Sequence, residues 1–241
     1  MQVIVADTID DFHKEAAGFV SRQVLQKPDS LLGFATGDTT VGIHKWIIRY
    51  YKETGVDYSR CKACVLDEYV GIAADDPRGC CWRINDGLFD HLNLLSGNIY
   101  IPDGLSDPPE NELDVFKNAI ENFGGIDLQV LSVGQNGHIA FNEPGTPFES
   151  TYRLAPISQN TVKAKAELFG GEDKVPRFGI SMGIRDIMMA KKILLVASGH
   201  QKSEVIRQVV QGPVTEDVPA TVVRLHPEVV VVVDKKAASL L

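Results

Sequence analysis

The chain has 241 residues, 44% of them hydrophobic and 23% charged, a balance that predicts an ordinary soluble globule; no stretch is apolar enough over sufficient length to span a bilayer. Its net charge of −8 comes with no cluster of Lys and Arg, which excludes a general nucleic-acid surface, because neutralising phosphates needs grouped cations. An anionic ligand must then find a local basic pocket.

From the N-terminus, Met1-Gln2-Val3-Ile4-Val5-Ala6-Asp7 lacks the basic start and apolar run of a secretion signal and begins with a strand-like run at 3–6, which predicts a cytoplasmic protein. Further short apolar runs at 31–35, 63–66, 98–101, 128–133, 193–197 and 229–233 read as strands. Several are apolar at successive positions, as parallel strands covered by helices on both faces require. Between them, amphipathic stretches at 10–26, 40–53, 78–92, 110–123 and 201–211 predict helices. In the first of these, Ile9, Phe12, Ala16, Phe19 and Val20 keep the helical period, with Thr8 and Asp10 available as caps. The alternation predicts a single α/β domain over 1–241, a doubly wound, mostly parallel, Rossmann-like sheet. Residues 145–178, polar and glycine-rich in their second half, fit the alternation poorly and predict an inserted flap or lid.

Four cysteines, Cys61, Cys64, Cys80 and Cys81, raise the question of redox or metal chemistry. The C-x-x-C spacing of the first pair runs into a strand, and no second ligand pair stands at zinc spacing. Plain buried thiols are expected, with no disulfide and no metal.

In an open α/β sheet, ligands bind beyond the carboxyl ends of the strands, and four such positions carry chemistry. Thr36-Gly37-Asp38-Thr39-Thr40 is a turn of small residues and hydroxyls opening a helix, whose free N–H groups suit a phosphate; a capped turn without a ligand would look the same. Asp67-Glu68-Tyr69 places two acids at a strand end, where a carboxylate can serve as general base or simply as a helix cap or ion-pair partner. The stretch from Gly134 to Gly145 is the most informative, joining turn glycines, Asn136, His138, and a carboxylate, Glu143, able to orient the imidazole. Ser198-Gly199-His200-Gln201-Lys202 puts a lysine in the first turn of a helix, against the helix dipole, which an intervening anion would explain as well as mere solvent exposure.

Together these loops resemble the glucosamine-6-phosphate deaminase (isomerase) family, which includes galactosamine-6-phosphate isomerases and is related to 6-phosphogluconolactonases. The resemblance covers nearly the whole chain, through Leu32-Gly33-Phe34-Ala35-Thr36-Gly37-Asp38-Thr39-Thr40, Leu66-Asp67-Glu68-Tyr69-Val70-Gly71, Gly137-His138-Ile139-Ala140-Phe141-Asn142-Glu143-Pro144-Gly145 and Gly199-His200-Gln201-Lys202. Val218-Pro219-Ala220-Thr221 and Leu225-His226-Pro227 match its terminal pattern. The resemblance implies an amino-sugar-6-phosphate deaminase without metal or organic cofactor, acting on a small sugar phosphate, with homo-oligomerisation left open. It gives Asp67 the proton shuttle between C2 and C1, and His138, assisted by Glu143, the ring opening. Lys202 and the loop of Thr36, Gly37, Asp38 and Thr39 would hold the 6-phosphate.

The chain also departs from the pattern. Asn136 stands where an acid is common, and it can orient His138 but not accept a proton. The arginine that glucosamine enzymes present to phosphate from the flap falls near Glu167, leaving Lys163, Lys165 or Arg153 as substitutes. Gly79-Cys80-Cys81 replaces a Ser-Tyr pair and looks more like the galactosamine branch, and Ala155 replaces an allosteric lysine. Glucosamine 6-phosphate is the expected substrate, with galactosamine 6-phosphate close behind; lactone hydrolysis and a non-catalytic sugar-phosphate sensor are the rivals. The sensor would keep Lys202 without the acid-base set that Asp67, His138 and Glu143 supply.

Overall fold

The computed structural model describes residues 1–241. Seven strands form one parallel sheet: β1 (Gln2–Ala6), β2 (Leu31–Phe34), β3 (Lys62–Val65), β5 (Ile99–Tyr100), β6 (Leu128–Ser132), β9 (Ile193–Ala197) and β10 (Val229–Asp234). All seven were legible as apolar runs. Their order in space is β1-β10-β9-β6-β2-β3-β5. The chain travels outward from β2 to β5 and then returns to the other side of β2 at β6, so the strand order reverses between these two neighbours, where an open sheet leaves a crevice.

Burial on both faces explains the unbroken apolar runs. In β9, Leu194 and Val196 pack on one side with helices α1 (Ile9–Gln26) and α2 (Val41–Thr54), whereas Ile193, Leu195 and Ala197 pack on the other with α4 (Asn111–Asn122) and α7 (Ser203–Gln211). Thr8 caps α1 by accepting from the Asp11 amide at 3.0 Å, which satisfies one of the free N–H groups of its first turn. Cys61 and Cys64 are buried thiols, and burial pushes both up to about 12. No helix is long and apolar enough to cross a membrane.

Beside the main sheet stands a second, antiparallel sheet in the order β4-β8-β7, made of β4 (Asp67–Tyr69), β8 (Phe178–Ser181) and β7 (Arg153–Pro156). Its strands escaped the sequence reading because they run three or four residues each and carry Gly179 or end on Pro156, features that weaken a strand signature. The stretch at 145–178, expected to be an inserted flap or lid, holds β7 and a further helix, α5 (Gln159–Phe169). Ser158 caps α5, accepting from the Thr161 amide at 3.2 Å. The predicted helix at 78–92 is shorter, with α3 spanning Cys80–Gly87 followed by a 3-10 turn at Phe89–His91. A short α6 (Ile184–Met188) follows β8.

Candidate active site

Loops following β2, β3, β6 and β9, four adjacent strands, converge on a cavity of about 910 Å³. Thr36, Gly37, Asp38, Thr39, Asp67, Asn136, His138 and Lys202 all line it. Glu143 does not; it stands behind His138. Two elements add further walls: α3 brings Cys80 and Arg83, and α5 brings Thr161 together with Lys163 and Lys165, two of the flap cations the sequence offered. Cys80 and Arg83 are three apart on a helix and so share a face, the one signal that could have found Arg83. No group of three or more His, Cys, Asp and Glu side chains is arranged to hold a metal ion.

The two acids of Asp67-Glu68 part ways because β4 sends successive side chains to opposite sides. Glu68 turns inward and accepts from the amides of Tyr69 at 2.7 Å, Cys80 at 3.0 Å and Cys81 at 2.7 Å, so it caps the N-terminus of α3. Asp67 faces the cavity with little solvent around it. Burial, reinforced by the negative charge of Glu68, raises its carboxyl to about 7, against smaller opposing effects from the Cys80 thiol and Lys165. The Cys80 thiol lies 3.6 Å from Asp67 Oδ1 and, being buried beside two acids, stays protonated and able to donate.

On the β6 side, His138 Nδ1 lies 2.7 Å from Asn136 Oδ1, and Asn136 Nδ2 donates to Glu143 Oε2 at 2.7 Å. An amide oxygen only accepts, so Nδ1 carries a proton, and the neutral tautomer this contact selects has its lone pair on Nε2. Glu143 Oε2 also lies 3.6 Å from His138 Nδ1. Burial opposes the Glu143 charge, but His138, the Thr161 hydroxyl and the Asn136 amide outweigh it and hold the carboxyl at about 2. Thr161 reaches Glu143 Oε1 from α5, which ties this helix to the histidine loop. The loop itself needs glycine: a Cβ on Gly134 would come within 2.2 Å of the His138 ring. Asn142 fastens the loop from inside, donating to the carbonyls of Ile139 at 3.0 Å and Met182 at 2.9 Å, while Ala140 takes a left-handed φ of 50°, a conformation that costs an L-residue about 1 kcal/mol or more.

The profile of the family described as glucosamine-6-phosphate isomerases/6-phosphogluconolactonase matches residues 6–232. Glucosamine-6-phosphate deaminase from Clostridium botulinum is 41% identical over 241 residues, spanning 100% of this chain and 99% of the relative. The chain belongs to this family. Another such deaminase, from Thermoanaerobacter pseudethanolicus, is 40% identical and covers 100% of this chain, with 95% of its own length matched. Among solved structures, a monomeric glucosamine-6-phosphate deaminase superposes over 100% of both chains with a TM-score of 0.97 at 36% identity. A 6-phosphogluconolactonase from Trypanosoma brucei shares the fold, with a TM-score of 0.81 at 14% identity over 100% of this chain and 98% of its own.

Within the glucosamine-6-phosphate isomerase family frame, the anion side of the cavity is the part that departs. Glu167 does not line the cavity, and neither does Arg153, whose Nη2 donates to the Thr146 hydroxyl at 3.1 Å. Arg153 is therefore set aside as the missing phosphate cation, whereas Lys163 and Lys165 remain at the wall. Thr40 serves the loop itself, its hydroxyl donating to the carbonyls of Ala35 and Gly37 at 3.0 and 2.8 Å. Asp38, expected to help hold an anion, accepts from Arg83 Nη2 at 2.7 Å. Lys202 Nζ donates to the Val133 carbonyl at 2.7 Å, and burial together with the charge of Lys165 lowers its ammonium to about 8. Ala155 is fully buried in β7.

Proposed function

We propose that the protein is a cytoplasmic amino-sugar-6-phosphate deaminase that converts D-glucosamine 6-phosphate and water into D-fructose 6-phosphate and ammonia. The observation that carries this reading is the pair of carboxylates serving one cavity: Asp67, held near 7, and Glu143, held at about 2 behind His138. Groups whose surroundings drive their proton affinities apart divide acid-base labour. A base whose affinity lies near the working pH both takes and returns a proton readily, which is what moving hydrogen from C2 to C1 demands.

His138 Nε2, which holds the lone pair of that tautomer, takes the proton from O1 of the pyranose and delivers it to O5, so the C1–O5 bond breaks and the aldehyde forms. Glu143 stabilises the imidazolium that exists in between, through Asn136 and directly. Asp67 removes the C2 proton while the substrate ammonium gives a proton to O1, forming a 1,2-enolamine, and Asp67 then returns its proton to C1, which leaves an iminium at C2. Water adds there and ammonia departs, yielding the ketose. Lys202 and the amides of Thr36, Gly37, Asp38 and Thr39 hold the 6-phosphate so that C2 is presented to Asp67. The 145–178 segment is the lid of this site, because α5 supplies both Lys165 and the hydroxyl on Glu143.

Ammonia release from glucosamine 6-phosphate and galactosamine 6-phosphate, with hydrolysis of 6-phosphogluconolactone followed separately as a control, tests the reading. Release from the glucosamine substrate at least tenfold faster than from its C4 epimer, with no lactone opening above background, is the expected result. Lactone hydrolysis without ammonia release would replace this reading with the lactonase one. In the same assay, Lys202→Ala should raise KM for the phosphorylated sugar by roughly tenfold or more, the size of a lost charge-assisted contact.

A further inference from the structure

The loop that would face the phosphate contains an acid. A carboxylate among hydroxyls and free N–H groups opposes an anion unless a cation neutralises it, and Asp38 has one in Arg83, at 2.7 Å. The guanidinium has five donors, and its hydrogen bond to Asp38 uses one of them. Arg83 is mostly buried, its side chain 21% exposed, and lines the same cavity as Lys202. Asp38, its own side chain 83% exposed, pairs with the guanidinium from the solvent side and orients it at the rim of the anion loop.

The other cations of the wall divide into the occupied and the free. Arg78 is taken up by Asp76, with Nε 2.8 and 3.1 Å from its two oxygens, and it lies over the Phe169 ring at 5.4 Å. Lys165 and Lys202 have no carboxylate within ion-pair distance, yet they stand close enough that the charge of Lys165 depresses Lys202, only partly offset by Asp38. Arg83, Lys163, Lys165 and Lys202 against the single charge of Asp38 leave this side of the wall net positive, and Lys165 is the flap lysine whose charge is felt at both Asp38 and Lys202. A phosphomonoester above its second ionisation, near pH 6, carries about two negative charges, which such a wall attracts.

Resting on the amino-sugar-phosphate reading, we infer that Arg83, oriented by Asp38, and Lys165 are phosphate-binding residues of this chain. With Lys202 they replace the flap arginine whose place is held by Glu167. The phosphate grip has moved from the outer end of α5 to α3 and the middle of α5. The acid in the phosphate loop and the arginine on α3 then explain each other, since either alone would be out of place.

Binding of fructose 6-phosphate, measured by calorimetry in ammonium-free buffer beside unphosphorylated fructose, tests this without requiring turnover. Wild type should prefer the phosphorylated sugar strongly, and Arg83→Gln and Lys165→Gln should each weaken its binding by roughly tenfold or more, comparably to Lys202→Ala. Arg83→Lys, which keeps the charge, should recover most of the loss and shows that the glutamine variant did not fail through misfolding. Wild-type affinity in either glutamine variant overturns the inference and leaves the sugar-phosphate reading standing. A wild-type protein that binds both sugars alike overturns both.

Discussion

Asp67 and Glu143 serve the same cavity from opposite sides and, as whole residues, are about equally buried, each 9% exposed, yet their carboxyls differ from about 7 to about 2. Burial raises both. Deeper burial of the Asp67 carboxyl is the larger cause of the difference, and company widens the gap: Asp67 has another acid next to it in sequence and one thiol as donor, whereas Glu143 has a hydroxyl, an amide and an imidazole. The first is a carboxyl poised to exchange a proton; the second is a fixed charge that supports a neighbour. Two carboxylates serving one cavity acquire different chemistry from their depth and their hydrogen-bond partners.

The largest effect expected is on turnover. Asp67→Asn keeps shape and loses the base, so kcat for ammonia release should fall by about 10²–10⁴-fold with KM little changed. Near-normal kcat would remove Asp67 from the chemistry.

Next in size is a stability contrast of opposite sign. Because folding raises the Asp67 carboxyl from 3.8 to about 7, the folded state holds a proton that the unfolded chain has lost, and stability falls as pH rises through that window. The penalty is at most roughly 4 kcal/mol at pH 8, so Asp67→Asn should melt higher than wild type there. Folding lowers Glu143 from 4.5 to about 2; its contribution is present above about pH 4.5 and disappears as pH falls toward 2. Glu143→Gln should therefore melt lower than wild type at pH 8. Thermal melts of both variants at pH 4 and pH 8 check this, and shifts of the same sign at pH 8 would break the comparison.

The smallest effect sharpens it. Activity should rise with pH along an acid limb near 7 as Asp67 ionises, and Cys80→Ala, which removes a donor to that carboxylate, should move the limb to higher pH. Cys80→Ser should restore it. An unmoved limb in Cys80→Ala would reduce the thiol to a packing role.

Most of the site was legible because its residues follow predicted strand ends, where sheet topology forces loops together. Asp67, His138, Lys202 and the 36–40 loop come from four adjacent parallel strands. The helix α5 was missed although Ser158 and the run to Phe169 carry a cap and a helical stretch, because the polar, glycine-rich Phe169-Gly170-Gly171-Glu172-Asp173-Lys174 marked the segment only as a flap; Lys163 and Lys165 on it were nonetheless candidates. Glu68 looked as reactive as Asp67 in sequence; only the alternation along β4 and the amides of α3 separate a cap from a cavity-facing acid. Arg83 carried no motif of its own, and its place follows from a tertiary contact with Asp38.

The division of labour between Asp67 and the His138 that Glu143 supports is tested most directly by solvent deuterium entering C2, followed by NMR beside ammonia release, with substrate supplied in both cyclic and open-chain forms. His138→Gln should slow release from the cyclic form while C2 exchange persists on the open-chain form, and Asp67→Asn should abolish exchange on both. Parallel loss of exchange and release in both variants on open-chain substrate would contradict the account, since His138 would then act in the proton transfer that belongs here to Asp67.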